Sequence, residues 1–218
     1  MFNLIYKGKK SDIDEKEINK IFLSLKRSFN IDISTVYIHI FDTRAEFNKE
    51  IKRDTPEWLV ANASNNNLIN ILSPFAFEEE SSHDKKEFIQ VLTHEISHLF
   101  IHELSMGNAV PKWLNEGLAS YFAGQHKDKK EVIYIEENFC KKLGIPRGWN
   151  DNVNYDAYTI ASRFVSFLIK EYSFNKIREL ITLLNKNYNY SHFKDIFFKV
   201  YKKDLNEVEM SFIEDINK

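Results

Sequence analysis

Phe88-Ile-Gln-Val-Leu-Thr-His-Glu-Ile-Ser-His-Leu-Phe-Ile-His-Glu-Leu104 decides how the rest of the chain is read. Its apolar residues recur at helical spacing, and His94-Glu95-x-x-His98 is set among them. Four residues along an α-helix advance one pitch and turn the side chain by about 40°. His94 and His98 therefore stand one above the other, with Cβ atoms roughly 5–6 Å apart. Two imidazoles at that separation can each aim a nitrogen at one metal ion about 2.0–2.1 Å away. Glu95, three residues before His98, lies on the adjoining edge of that face. It can reach a water at the ion's open position but is poorly placed to be a third ligand. Two fixed ligands, an open position and a base are what metal-assisted hydrolysis needs. The competing account is a buried helix that carries two histidines by accident.

Downstream, Gly107 and Pro111 break the chain, and Lys112-Trp-Leu-Asn-Glu-Gly-Leu-Ala-Ser-Tyr-Phe122 resumes a helical pattern with Leu114, Leu118, Tyr121 and Phe122 on one apolar face. Glu116 sits on this second helix, and a turn between the helices would return it beside the metal as a third ligand. The alternative is an ordinary surface glutamate. Trp113, Leu114, Gly117 and Ala119 around it prefer burial, and a glutamate so flanked usually has a partner.

Upstream, Asp84-x-x-Glu87 is a capping-box pattern that starts the central helix near Lys85 and lets it run to about Leu104. Ile13 to Phe29 reads as an amphipathic helix, Thr35 to Phe41 as a strand, and Asp42 or Thr43 as the cap of a helix to about Lys52. Trp58 to Ala63 and Leu68 to Leu72 are strand candidates, the second stopped by Ser73-Pro74. A strand just before a metal-binding helix, if it is a sheet edge, can hold an extended peptide by β-addition; simple pairing with its neighbour is the other reading. Glu78 to Lys86 reads as a polar loop, Lys127 to Lys130 as a solvated charge run, and Val132 to Ile135 as a short strand. From Tyr155 onward the pattern is helical: Tyr155 to Glu171, Phe174 to Asn185, Tyr190 to Tyr201 and Leu205 to Ile216. The expected fold class is α+β in a single domain, with an N-terminal α/β lobe of about 1–105 and a helical C-terminal lobe of about 106–218.

The 218 residues include 30 basic and 32 acidic side chains, a net charge of -2 that gives no electrostatic case for nucleic acid or an anionic membrane surface. Cys140 is the only cysteine, so neither an intramolecular disulfide nor a thiolate-rich metal cluster is available. No run approaches the roughly 18 apolar residues of a membrane span, and the first ten residues turn charged before a signal-peptide core develops. The expectation is a soluble cytoplasmic protein with no nucleic-acid or membrane partner.

His94-Glu-Ile-Ser-His98 with Trp113-Leu-Asn-Glu-Gly-Leu-Ala119 resembles the gluzincin metallopeptidases, in particular the small bacterial proteins of the peptidase MA-like group. The likeness to thermolysin-type and aminopeptidase-N-type enzymes is more distant. The resemblance implies a zincin-like fold, Zn2+ held by His94, His98 and Glu116, Glu95 as general base and proton shuttle, and a peptide or protein substrate. Tyr158-Thr-Ile-Ala-Ser-Arg-Phe-Val-Ser-Phe-Leu168 is similar to the helix of aminopeptidase-N-type enzymes that bears a transition-state tyrosine, which gives that role to Tyr158. Tyr155, three residues earlier, is the other candidate. The aminopeptidase Gly-x-Met-Glu-Asn motif is absent, and Ser120 stands where thermolysin-like enzymes carry an acid. Ile101 and Leu104 occupy the positions that a metzincin fills with glycine and a third histidine, and His102 is rotated away from the metal-facing pair. His39, in a strand, reads as structural. Two further functions stay open: a zinc-stabilised binding module that cleaves nothing, and a regulatory protease dedicated to one protein.

Overall fold

The alternation Val36, Ile38, Ile40 against the exposed Tyr37 makes a strand with one buried face, whereas the strand Leu68–Leu72 two strands later is buried on both faces from Ile69 to Leu72. The computed structural model describes residues 1–8, 13–64, 66–125, 135, 137–152 and 156–217, which fall into two units, Met1–Phe100 and Ile101–Lys218. Together they form a mixed α and β protein with one small sheet among the described residues.

The first unit contains β1 (Phe2–Tyr6), α1 (Glu15–Phe29), β2 (Val36–Phe41), α2 (Arg44–Ile51), β3 (Ala61–Ser64), β4 (Leu68–Leu72), α3 (Pro74–Glu80) and the start of α4 (Phe88–Leu104). The sheet order is β1-β2-β4-β3, with β3 antiparallel to β4 and the other pairs parallel. Asp14 caps α1 by accepting from the Lys16 and Glu17 amides, and Asn30 ends it in the left-handed conformation. The buried stripe Ile18, Phe22, Leu25, Phe29 faces α4, where the rings of Phe22 and Phe29 lie 6.4 and 5.7 Å from that of Phe100. Asp84 and Glu87 form the expected capping box around a short 3-10 turn at Lys85–Glu87, and α4 follows directly.

Several boundaries differ from the sequence expectation for physical reasons. Ser73-Pro74 stops β4 at Leu72 as expected and also begins a helix: Ser73 Oγ accepts from the Ala76 amide and Pro74 supplies the first turn, so α3 takes up the start of the stretch read as loop. The strand read from Trp58 begins only at Ala61, because Pro56 to Leu59 forms a turn closed by Leu59 N–H on Pro56 O. Of the last two strands before α3 and α4, β3 is at a sheet edge, as β1 is at the other, while β4 lies between β2 and β3. β1 was not read from sequence at all. Residues 132–134, the charge run at 127–130 and Tyr155 lie outside the described residues.

The second unit contains α5 (Lys112–Ala123), α6 (Phe139–Lys142), α7 (Pro146–Asn152), α8 (Ala157–Tyr172), α9 (Phe174–Thr182), α10 (Tyr190–Tyr201) and α11 (Leu205–Ile216). Here α5 packs along α8. A Cβ on Gly117 would come within 2.5 Å of the Ala161 carbonyl oxygen, so glycine is what lets the two backbones approach next to Glu116. Phe164 anchors the aromatic core, with ring centroids 5.1 Å from Trp113 and 5.0 Å from both Phe139 and Phe212.

Within that core Glu209 is 1% exposed; its Oε1 accepts the Cys140 amide at 2.7 Å, and its Oε2 has no hydrogen-bond partner among the described residues. Burial pushes the Glu209 carboxyl above its usual range, outweighing the Cys140 bonds and the Lys194 charge that act the other way. The folded chain therefore keeps this proton to a higher pH than the unfolded chain, whose carboxyl titrates near about 4.3. This group's contribution to stability is fully present below that value and is lost as pH rises through the raised folded value. Glu209→Gln should remove this pH dependence, so its stability relative to wild type should climb from acid toward neutral pH. Denaturant unfolding across that range checks it, and a constant offset between the two proteins counts against the assignment.

Candidate metal centre

Polar side chains within the apolar α4 are folded back on the helix itself. Thr93 Oγ1 donates to Ile89 O and Ser97 Oγ to Thr93 O, each at 2.7 Å, so the hydroxyls flanking the histidines are satisfied locally. His94 is buried and His98 half-buried, with ring centroids 4.7 Å apart and planes at 81°. The four-residue spacing thus brings the two imidazoles together edge-on, one turn apart on the same face of α4.

Glu116 is 4% exposed on α5. His94, His98 and Glu116 each offer one ligand atom, and these atoms lie within 4.8 Å of one another. Donors around a four-coordinate zinc-sized ion stand roughly 3.4 Å apart, so a small side-chain adjustment closes the three onto one ion. Two neutral nitrogens and one carboxylate also leave a coordination position open. The three residues fit a metal ion in both number and kind of donor. Glu95, half-buried on α4, is not a member of this group. Neither is His102, which is half-buried in the last turn of α4.

Two neighbours of the site were not identified from sequence. Lys112, one helical turn before Glu116, bonds Glu116 Oε1 with its ammonium, which also lies 6.0 Å from the centre of the Trp149 ring. Trp149 is 2% exposed and meets Tyr158 edge-on at 4.9 Å. Tyr158, half-buried in the first turn of α8, is therefore joined to Glu116 through Trp149 and Lys112. The i, i+4 spacing of Lys112 and Glu116 is visible in the sequence and signals the ion pair. Nothing local marks Trp149.

The Ser120 hydroxyl is fully buried, with no hydrogen-bond partner among the described residues. His39 stays outside the site: its Nδ1 is 3.8 Å from Glu50 Oε1 without a hydrogen bond. Burial and the Lys7 charge hold its pKa below the usual histidine range, with Glu50 opposing. No helix among the described residues is long and apolar enough to cross a membrane.

A pair of histidines one turn apart on a helix, with a buried carboxylate among their ligand atoms, defines an α and β protein with a candidate metal centre. The chain belongs to the peptidase MA superfamily, whose family model matches residues 30–217. Membership points to a metal-dependent peptidase with a peptide or protein substrate. No curated protein matches the chain.

Proposed function

We propose that the protein is a gluzincin-type zinc peptidase with a zincin-like fold, in which His94, His98 and Glu116 hold the ion. The grouping of their three ligand atoms carries this reading. Zinc, when bound, supplies the Lewis acidity that polarises the scissile carbonyl and acidifies the attacking water. Glu95 takes the proton of that water and delivers it to the leaving amine. The Tyr158 hydroxyl donates to the developing oxyanion, and the edge-on contact with Trp149 fixes the ring that carries it. Among the described residues β3 is an edge strand of the sheet, and the outer N–H and C=O groups of such a strand can pair with an extended substrate backbone.

A mixed peptide library tests the proposal. Cleavage should be abolished by a chelator and restored by stoichiometric zinc. Zinc binding without any cleavage would favour the non-catalytic binding module.

A further inference from the structure

The turn that leads into β3 is held at four consecutive carbonyls. Arg44 Nη1 donates to Pro56 O and Leu59 O at 3.0 Å each, Arg44 Nη2 to Glu57 O at 2.9 Å, and His83 Nε2 to Trp58 O at 3.0 Å. Arg44 is itself fixed by Thr55 Oγ1 at 2.8 Å and Glu80 O at 2.9 Å. His83 Nδ1 faces Glu87 Oε2 at 2.8 Å, the same carboxylate that closes the capping box ahead of α4. The turn is thereby tied to the start of the helix that carries His94 and His98.

This fixed turn displays Trp58, which is 57% exposed, whereas Trp113 and Trp149 are 0% and 2% exposed. The Leu72 amide donates to Val60 O at 2.9 Å, so the entry to β3 and the exit from β4 run side by side. Phe75, 65% exposed in the first turn of α3, lies three residues past that bond. Two exposed aromatic side chains thus flank one end of the edge pair. A single exposed apolar residue needs no explanation. An indole on a backbone already ordered in the free protein is different: it presents a large apolar area with few rotatable bonds, so little ordering entropy remains to oppose binding.

We infer that Trp58 is a specificity-determining residue that receives an apolar side chain of a peptide lying along β3, with Arg44 as the residue that positions it. The inference rests on the peptide-binding role proposed above for β3. Trp58, on a turn whose carbonyls are already engaged, and Phe75, in the first turn of α3 at the same end of the β3–β4 pair, favour an apolar side chain as the occupant.

The test uses tryptophan-free decapeptides with a polar Ser/Gly/Asn background and either Leu or Ala at one scanned position. Wild type should prefer Leu at one position, by kcat/KM. Trp58→Ala should reduce that Leu-over-Ala ratio by about tenfold or more at an unchanged melting temperature, and Trp58→Phe should keep much of it. Arg44→Met should lower the same ratio although Trp58 is present. Binding is read separately in Glu95→Gln: the Leu peptide should shift Trp58 emission to the blue and protect it from iodide, a signal absent from Trp58→Phe because the other two tryptophans are buried. An unchanged ratio in a folded Trp58→Ala protein, or saturating peptide that leaves Trp58 emission and quenching unaltered, overturns the inference. Peptide protection of Trp58 without any cleavage would uphold it while removing the peptidase reading. Zinc-dependent cleavage indifferent to Trp58 would do the reverse.

Discussion

Glu95→Gln should keep its zinc and its fold and lose about 10²–10⁴-fold in turnover. Glutamine preserves the length, shape and polarity of the side chain at a half-buried position of α4, so the helix and its histidines have no reason to move. The residue is not among the three that group their ligand atoms, so metal occupancy should be indifferent to the change. What disappears is the capacity to accept a proton at neutral pH. Turnover measured alongside zinc content, on a peptide cleaved by wild type, separates binding from chemistry. Wild-type rates in a zinc-loaded Glu95→Gln protein would remove Glu95 as the base.

Tyr158→Phe should lower turnover by roughly 10²–10³-fold with little change in the Michaelis constant. The substitution deletes one oxygen and keeps the ring that packs edge-on against Trp149, so a folding defect is not expected. A donor that acts mainly on the oxyanion contributes in the transition state and little in the ground state, which is why the effect should fall on turnover. Tyr155→Phe is the paired control and should have a much smaller effect. If the two results are reversed, Tyr155 is the donor. If neither changes turnover, the oxyanion is stabilised by the metal and by other groups.

The parts legible in the sequence were those written within one element or its immediate flanks. The closeness of His94 and His98 follows from helical periodicity alone, and the burial of Glu116 from the apolar residues around it. The amphipathic stripes over Tyr190–Tyr201 and Leu205–Ile216 gave those helices their observed bounds, and β4 was equally plain. The parts that were not legible depend on partners far along the chain. Nothing near Arg44 in the sequence signals its part, which needs the carbonyls of residues 56, 57, 59 and 80 brought around it. Glu209 and Cys140 meet across 69 positions, and Trp149 gains its meaning only from Lys112 and Tyr158. Ser73-Pro74 ends β4 as its sequence indicates; that a helix begins there depends on the Ser73 hydroxyl, which caps the first turn of α3.

The central claim is that Glu116 completes a metal site begun by His94 and His98. Competition titration against a chromogenic zinc chelator measures it directly, with no need for a substrate. Wild type should bind about one zinc per chain. Glu116→Ala keeps both histidines and should lose at least about a hundredfold in zinc affinity, since a ligand and its charge are gone while two nitrogens remain. Glu116→Ala that binds one zinc with wild-type affinity would contradict the claim and leave the buried carboxylate, which Lys112 bonds, without a part in holding metal.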